Sequence, residues 1–555
     1  MPQILTTLIL STLLLMTAAP AQAQADMVLH NARIYTMNDD QPEAEALAAR
    51  DGRILMVGTD AEVLDAYPDA ERVDAGGRTV VPGLIDAHVH LMGLAQSLIR
   101  ADLVGTESKQ DIINRLQDFA DNLPEDAWLL GRGWDQNDWP EQQFPTRADL
   151  DEAFPDRPVW LTRIDGHAAW ANTAALEAVG LDSLRQMDDP EGGTILRGDA
   201  GEPTGVFIDA AMSIIGSQVP DPSDEELDRA LELALDETAK YGLTGVHEAG
   251  IDRETVERYQ RFIDGGRFPI RNYAMIGGRG DTFDYFCDEG PIYNYADRLA
   301  VRSVKFYIDG ALGSRGAALL EDYSDDEGNR GLLQQQPETF RQNVHDAMEC
   351  GFQVNTHAIG DRGNRIVLDT YEEAMAATGR TIGRHRVEHA QILAPSDIPR
   401  FAELGVIASV QPTHATSDMY WAEERLGPER IEGAYPWRSL LDRGARIAFG
   451  SDFPVEQVDP LLGFYAAVTR QDAEGWPEGG WHPEERVTRK EALRGFTLDA
   501  AYAAYQEDEL GSLEPGKFAD FVVFSRNIME VDPSDILDAE VIATYLGGEA
   551  IYGEL

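Results

Sequence analysis

Short apolar runs alternate with amphipathic helical patterns through the middle of this 555-residue chain, and no other feature constrains the fold as strongly. The apolar runs are typical of β-strands, and the segments between them have the period of helices, about 3.6 residues. Strands that alternate with helices form a parallel sheet, so we predict an α/β fold built on a TIM-type (β/α)8 barrel. The candidate strands are residues 242–250, 301–310, 352–361, 384–392, 405–414 and 445–454, with candidate helices at 224–242 and 364–379.

The remaining segments predict two further parts of the fold. Residues 26–81 and 506–555 both contain short strand patterns punctuated by turns, which indicates that the two termini meet in one small sheet domain. The barrel then occupies residues 82–505. The stretch from His90 to Lys305 exceeds what three βαβ units of about 30 residues need. We therefore expect an inserted lobe at about 105–235 in the first half of the barrel.

Side chains with metal-ligand chemistry follow the candidate barrel strands. In VVPGLIDAHVHLMG, His88 and His90 are two residues apart, and strand residues with this spacing point the same way. The C-terminal strand ends of a barrel surround one mouth, and imidazole and carboxylate groups suit zinc and related ions. Lys305 is the exception, because an ammonium has no lone pair and would need chemical conversion to bind a metal. The set is His88, His90, Lys305, His357, His389 and Asp452.

The chain resembles the amidohydrolase superfamily and, within it, amidohydrolase family 3, in the branch of N-substituted formamide deformylase and of regulators of secreted enzymes. The resemblance covers nearly all of the chain after residue 25. It implies that residues 26–81 and 506–555 form a composite β-sandwich domain, with the (β/α)8 barrel between them, and a metal centre of one or two Zn²⁺ ions, with Mn²⁺ or Fe²⁺ as alternatives. The phrases that carry it are VVPGLIDAHVHL, SVKFYIDGALGSRGAAL, VNTHAIGDRGN, RVEHAQI, FGSDFPV and GSLEPGKFADFVV.

The same resemblance implies a role for each ligand. His88 and His90 would bind the first ion, and His357 and His389 the second. Lys305 would react with carbon dioxide to form N6-carboxylysine, an anionic ligand that bridges both ions.

Asp452 would complete the first site and carry protons, as general base and then general acid. Zinc lowers the pKa of bound water from about 15.7 to about 7, which provides a nucleophile at neutral pH. The implied activity is hydrolysis of a carbon–nitrogen bond, other than a peptide bond, in an amide-like or cyclic amide substrate.

Five further residues are candidates for substrate binding. His167 would donate to a substrate carbonyl or oxyanion, with a helix-entry hydrogen bond as the equal alternative. Ser314 and Arg315 follow the Lys305 strand; Arg315 would hold a carboxylate, although an ion pair with one of the many acids is favoured. His414 and Asp418 follow the expected seventh strand, near the mouth.

His247 and Glu248 are expected to end the third barrel strand and to make structural hydrogen bonds.

Two other functions remain open. A metal centre of this kind would also hydrolyse esters or lactones, and some members of the branch are regulators without catalysis. The intact ligand set favours catalysis, but loops determine the substrate and their pockets are not readable from the pattern. The partner is thus a small amide-like molecule of unspecified identity, and a homodimer is plausible by base rate.

Composition and the N-terminus bear on partners and location. The chain has 46 Lys+Arg against 98 Asp+Glu, a net charge of −52, and such a surface repels nucleic acid. Residues 1–25 contain no charged side chain and end in the small-residue pattern Ala21-Gln22-Ala23-Gln24-Ala25. This predicts a signal peptide cleaved after Ala23 or Ala25, and a periplasmic or secreted protein that is not inserted in the membrane.

Cys287 and Cys350 are the only cysteines in the sequence. Two thiols in a chain of this length do not form a disulfide framework, although export permits one bond. We expect two buried, unpaired cysteines.

Overall fold

The computed structural model describes residues 25–121, 123–124, 127–163, 168–190, 193–198, 200–313, 315–379 and 383–555. Residues 1–24 of the expected signal peptide, together with the substrate-binding candidates His167 and Ser314, lie outside the described residues. Over the ranges described, no helix is both long enough and apolar enough to cross a membrane.

Within the described chain, eight parallel strands lie side by side in chain order and form a nearly closed barrel, which confirms the predicted fold class. Every residue of the first strand is buried, as expected for a parallel strand covered on both faces. The backbone N–H of Asp452 donates to the His88 carbonyl over 2.8 Å, which brings the end of the last strand to the first. The barrel strands are Leu84–Val89, Leu243–Ile251, Arg271–Gly277, Leu299–Tyr307, Gln353–Ala358, Arg386–His389, Ile407–Val410 and Ile447–Phe449.

Helices connect successive barrel strands. The helix Asp224–Lys240, for example, starts with a capping box at Ser223 and ends just before the second strand. The antiparallel strand Ile292–Tyr295 extends the sheet beside the fourth strand. The main helices of this part are Leu91–Leu98, Asp224–Lys240, Arg253–Asp264, Asp281–Glu289, Pro337–Glu349, Asp361–Thr378, Ile398–Leu404, Pro412–Asp418, Ala422–Arg430, Trp437–Asp442, Pro460–Thr469, Arg489–Gly495 and Leu498–Ala503.

Both termini contribute to a separate pair of sheets. Strand Thr79–Pro82 pairs antiparallel with Phe521–Phe524, so one sheet contains strands from the two ends of the chain. Leu29, Leu47 and Val523 belong to one buried cluster shared by the two sheets. One sheet is Arg53–Gly58, Ala46–Arg50, Met27–His30 and Glu71–Asp74; the other is Glu549–Gly553, Val541–Leu546, Phe521–Phe524, Thr79–Pro82, Arg33–Tyr35 and Glu43–Ala44.

A further sheet lies between the first and second barrel strands in sequence. Its core contains the stacked indoles of Trp134 and Trp139, both fully buried. The helices Lys109–Ala120, Arg147–Asp151, Thr173–Glu177, Leu181–Gln186 and Met212–Gly216 accompany it. Its strands, in order, are Gly193–Arg197, Pro203–Asp209, Ala168–Ala171, Val159–Arg163, Leu129–Trp134 and Ala101–Asp102.

Two expectations are wrong. The strand that contains His247 and Glu248 is the second strand of the barrel, not the third. Every strand that lies in sequence between it and the first barrel strand pairs within the separate sheet of the inserted lobe. Cys287 and Cys350 are not unpaired: they form a disulfide, with their Cα atoms 5.2 Å apart. The helix that contains Cys287 follows the third barrel strand and helix Pro337–Glu349 follows the fourth, and these two strands are neighbours in the sheet. A count of two thiols does not reveal this proximity.

Candidate metal centre

Three of the expected ligands form a compact cluster at the C-terminal ends of the barrel strands. One ligand atom each from His88, His389 and Asp452 lies within 4.8 Å of the other two, and all three residues are buried. The closest measured approach joins His88 Nε2 to Asp452 Oδ1, at 3.5 Å. Strands one, six and eight of the barrel supply these residues, which are far apart in sequence.

The other three expected ligands lie around this cluster. His90 Nε2 is 3.3 Å from Asp452 Oδ1, and Lys305 Nζ is 3.1 Å from His88 Nε2. The rings of His357 and His389 are 4.5 Å apart between centroids. The structure therefore brings together all six residues that the sequence singled out.

The backbone at two of these positions is strained. His389 has φ of 74° and Asp452 has φ of 65°, in the left-handed region that residues other than glycine rarely adopt. Such conformations cost roughly 1–3 kcal/mol each and occur preferentially at functional sites. His389 is the last residue of barrel strand Arg386–His389, and Asp452 lies three residues after strand Ile447–Phe449.

Three histidines are oriented in the same way by an acceptor on Nδ1. His88 Nδ1 is 2.5 Å from Glu388 Oε2, His90 Nδ1 is 3.1 Å from the Ala249 carbonyl, and His389 Nδ1 is 2.8 Å from Gln411 Oε1. Because each partner is an oxygen acceptor, the proton of the neutral ring lies on Nδ1. This leaves the Nε2 lone pairs available for a metal ion.

Burial keeps His88, His357 and His389 neutral. Burial, first, and the nearby Lys305, second, lower the pKa of His88 to about 4 and that of His357 to about 3. The pKa of His389 is also held well below its usual range, first by burial and then by His357. Metal binding requires the neutral imidazole, so the site is prepared for it near neutral pH.

Lys305 and Asp452 both have lowered pKa values, which favours the neutral form of the lysine and the charged form of the aspartate. Burial lowers the pKa of Lys305 to about 8. Burial raises the pKa of Asp452, but contact with His90 and the proximity of His88 and His389 outweigh it, so this pKa lies well below its ordinary value. The centre thus combines neutral imidazoles with an ionised carboxylate.

Unsatisfied atoms indicate that the cluster fits a cation. In the part of the chain that is described, the buried atoms His357 Nε2 and Asp452 Oδ1 have no hydrogen-bond partner. Leaving such atoms unpaired costs about 1–3 kcal/mol each. Imidazole nitrogens and a carboxylate oxygen are the ligands that zinc and related divalent ions prefer. The residues present therefore fit a divalent metal ion.

The substrate-binding candidates divide between two locations. His414 belongs to the cluster: its Nε2 is 3.8 Å from Asp452 Oδ2, and its ring stacks on that of His389. Asp418 accepts hydrogen bonds from the Gln391 amide and the Tyr435 hydroxyl.

Arg315 instead forms a two-pronged ion pair with Asp325, at 3.2 and 2.8 Å. This is the partner type that the sequence favoured, and a carboxylate-binding role for Arg315 stays a prediction.

Sequence reasoning missed a buried charged layer behind the ligands. Arg386 Nε lies 2.8 Å from Glu388 Oε1, and both side chains are fully buried. Burial raises the pKa of Glu388, but the Arg386 guanidinium and His88 outweigh this and hold it well below its usual range. A signal was present: within the strand Arg386–His389, two charged residues share one face.

Two further buried carboxylates, those of Asp86 and Asp309, were also not predicted as part of the site. The Asp86 carboxylate accepts hydrogen bonds from Ser451, whose hydroxyl is 2.6 Å away, and Asp309 accepts three from backbone N–H groups, including those of Ile359 and Gly360. Burial raises the pKa of each to about 7. Asp309 Oδ1 is 3.7 Å from His357 Nε2, so this carboxylate lies beside the cluster.

Known proteins that are similar to this chain include a metal-dependent hydrolase, in agreement with the geometry of the cluster. The family described as "Amidohydrolase family" matches residues 71–552. "Protein LONG AFTER FAR-RED 3" of Arabidopsis thaliana is 37% identical, over 96% of this chain and 92% of its own. "N-substituted formamide deformylase" of Arthrobacter pascens is 30% identical, over 95% and 98%. Among solved structures, an uncharacterized metal-dependent hydrolase from Pyrococcus furiosus superposes with a TM-score of 0.75 at 27% identity, covering 91% of this chain and 100% of that one.

Proposed function

The chain belongs to the amidohydrolase family, and from this premise we propose that it is a metal-dependent hydrolase of carbon–nitrogen bonds in an amide-like or cyclic amide substrate. One observation carries the proposal. His88, His90 and His389 are each oriented through Nδ1, with the Asp452 carboxylate against His88 and His90, in a buried cluster at the barrel mouth. The similarity to an N-substituted formamide deformylase supports the bond type.

The proposed cofactor is one or two Zn²⁺ ions, with Mn²⁺ or Fe²⁺ as alternatives. His88, His90 and Asp452 would hold one ion, and His357 and His389 the other. When bound, such an ion acts as a Lewis acid that polarises a carbonyl group and acidifies water near neutral pH.

Lys305 would connect the two halves of this set as N6-carboxylysine. Its amine is buried and 3.1 Å from His88 Nε2, and it makes no salt bridge to any described carboxylate. The ammonium first loses a proton; attack of the neutral amine on carbon dioxide then forms an N–C bond and releases a second proton, so the cation becomes an anion. That change would place an anionic oxygen ligand beside His88.

Asp452 is the proposed proton carrier. Oδ1 faces His88 and His90, whereas Oδ2 lies 3.8 Å from His414 Nε2. We propose that the carboxylate accepts a proton from the attacking water and delivers it to the leaving nitrogen. General acid–base catalysis of this kind contributes about 10²- to 10⁴-fold.

Metal depletion and Asp452→Asn together test this function. We expect a chelator to abolish turnover of an N-substituted formamide and added zinc or manganese to restore it. Asp452→Asn, at equal metal content by elemental analysis, should lower kcat by about 10²-fold or more. Asp442→Asn, on the exposed end of helix Trp437–Asp442, is the matched control. Full turnover by metal-free protein or by Asp452→Asn would refute the assignment.

A matched ester of the same acyl group distinguishes amide hydrolysis from esterase or lactonase activity. Faster turnover of the ester relative to its uncatalysed rate would favour the second function. A protein that hydrolyses neither probe, although fully loaded with metal, would favour a regulator without catalysis.

We also propose export, with cleavage after Ala23 or Ala25. The Cys287–Cys350 disulfide supports this, because such bonds persist mainly in oxidising compartments. Mass spectrometry of the mature N-terminus in a native secretion host would test it, and an intact Met1 would contradict it.

A further inference from the structure

Two aromatic side chains are stacked on each other and left largely exposed. Tyr420 is 58% exposed and Trp476 is 50% exposed. Their ring centroids are 5.0 Å apart and the rings are nearly parallel, at 7°. Exposed apolar surface of this kind, when it is grouped, marks a binding site more often than chance. We call these two side chains the aromatic platform.

The platform lies on the rim of the mouth that contains the metal centre. Helix Pro412–Asp418 starts directly after the seventh barrel strand, and its His414 reaches to within 3.8 Å of Asp452. Its Ser417 hydroxyl donates to Glu456, which follows Asp452 by four residues. Tyr420 comes two residues after this helix, so the platform continues the surface that begins at the proposed proton carrier.

A further exposed apolar side chain lies near Asp452. Val455 is 68% exposed, and its backbone N–H donates to the Asp452 carbonyl over 2.9 Å.

The platform is held rigidly from the side of Trp476. The Tyr420 hydroxyl donates to the Asp472 carboxylate, which also accepts from the backbone N–H groups of Glu474 and Trp476, at 3.0 and 2.9 Å. The Asp472 N–H in turn donates to the Trp476 carbonyl. A single carboxylate thus binds the Tyr420 hydroxyl and the backbone of Trp476.

Trp421, which follows Tyr420 in sequence, anchors the platform on the side of Tyr420. Trp421 packs so closely against Gly313, in the loop after the fourth barrel strand, that a Cβ at position 313 would lie 3.1 Å from its ring. A surface held in place before binding loses little conformational entropy when a ligand arrives.

Charge restricts what this surface accepts. The Glu456 and Asp472 carboxylates flank the platform, and the chain as a whole carries a charge of −52. An anionic group is therefore repelled, whereas the faces of Trp and Tyr favour planar apolar or cationic groups. A second copy of this acidic chain is a poor partner, since a specific interface needs about 800 Å² on each side.

We propose that Tyr420 and Trp476 determine substrate specificity by binding a planar aromatic group, without negative charge, on the part of the substrate that is not cleaved. This proposal rests on the proposed function for the location of the reacting bond. It assigns no chemical step to the platform, and it adds the class of substrate: amides with an aryl substituent.

The first test compares N-(2-naphthylmethyl)formamide with N-ethylformamide as substrates. For Trp476→Ala and for Tyr420→Ala, we expect the ratio of kcat/KM for the naphthyl probe to that for the ethyl probe to fall about tenfold, through KM. Trp476→Phe, which keeps a ring, should recover most of the ratio. Tyr293→Ala is the control, because Tyr293 is 60% exposed on a strand beside the start of the fourth barrel strand, away from the mouth.

The second test does not require turnover. Calorimetric titration of the metal-loaded protein with 2-naphthalenemethanol, which has no bond to hydrolyse, should give a Kd about tenfold higher for Trp476→Ala than for the wild type and for Tyr293→Ala. If wild-type protein hydrolysed neither formamide, the proposed function would fail, and this titration would still decide on the platform. Equal Kd values, an unchanged substrate ratio, or a change in oligomeric state caused by Trp476→Ala would each overturn the proposal.

Discussion

At the scale of single residues, the centre depends on side chains that do not face a metal themselves. Glu388 lies between the Arg386 guanidinium and His88 Nδ1, and all three side chains are fully buried. A buried charge is tolerated only when it is paired, so the Arg386 ion pair maintains Glu388 as an anion. That anion fixes the tautomer of His88 and raises its basicity toward a metal.

Glu388→Gln should therefore weaken metal binding. Loss of such an outer partner typically lowers metal affinity about 10- to 100-fold, and we expect this range from competition with a chromophoric chelator. Glu485→Gln removes another buried carboxylate, hydrogen-bonded to Ser439, and serves as the control for burial. An unchanged metal affinity in folded Glu388→Gln would show that the carboxylate does not orient His88.

The six candidate ligands could be singled out from sequence because each combines a distinctive residue type with the expected end of a barrel strand. His88 and His90 show the spacing of one strand face, and the later residues recur at barrel spacing. Gln411 was not predicted, because its contact with His389 depends on which strand ends meet in the barrel and leaves no local pattern. Glu388 had a local signal, since it shares one strand face with Arg386, but its contact with His88 joins two strands that are far apart in sequence.

At the scale of secondary-structure elements, one buried ion pair joins the sandwich to the barrel. Arg271, the first residue of the third barrel strand, binds both oxygens of Asp520 at 2.7 and 2.9 Å. Asp520 directly precedes strand Phe521–Phe524, and its carboxylate also accepts from the Gly547 N–H. The two domains are therefore connected through a fully paired polar contact.

Asp520→Asn should destabilise the protein strongly, because it leaves the Arg271 guanidinium buried without a counter-charge. Breaking a buried pair in this way costs about 3–5 kcal/mol. Asp538→Asn is the matched control, since its pair with Arg526 is exposed and such pairs contribute about 0–1 kcal/mol. Differential scanning calorimetry should show a lower unfolding temperature for Asp520→Asn only. Equal unfolding temperatures for the two variants would contradict the proposed importance of this contact.

The Cys287–Cys350 disulfide should by itself stabilise the barrel. It closes a loop of 63 residues between two barrel helices, for which chain entropy gives about 4 kcal/mol. We expect Cys287→Ser with Cys350→Ser, or the reduced wild type, to unfold at lower urea concentration than the oxidised protein. The double variant should no longer respond to reductant. Coincident unfolding curves in oxidant and reductant would indicate that the bond contributes nothing.

Most strands and helices of the barrel were predictable from the sequence, whereas the pairing of the lobe strands and of the cysteines was not. Apolar runs identified most of the barrel strands because parallel strands are buried on both faces. Strand Arg271–Gly277 was not among the candidates. The position of the His247 strand was misjudged, since the intervening lobe strands have the same local texture but pair among themselves. The cysteine pairing was missed because it depends on the packing of two helices that follow neighbouring barrel strands.

At the scale of the whole molecule, the dominant property is charge. Asp and Glu outnumber Lys and Arg by 98 to 46, and ion pairs such as those of Asp325 and Asp520 with arginines leave the net charge of −52 unchanged. Charges of one sign repel each other in the compact state more than in the extended chain. Salt weakens this repulsion, since the Debye length falls from about 10 Å at 0.1 M to about 3 Å at 1 M.

The unfolding temperature should therefore rise as sodium chloride increases from about 0.05 M to about 1 M. Salt also weakens surface ion pairs, which acts in the opposite direction, but each exposed pair contributes only about 0–1 kcal/mol. With a net charge of −52 the relief of repulsion is the larger effect. Sucrose at matched osmolality is the control for exclusion of solutes from the protein surface. An unfolding temperature that stayed constant or fell with salt, while sucrose raised it, would show that self-repulsion does not limit the stability of this fold.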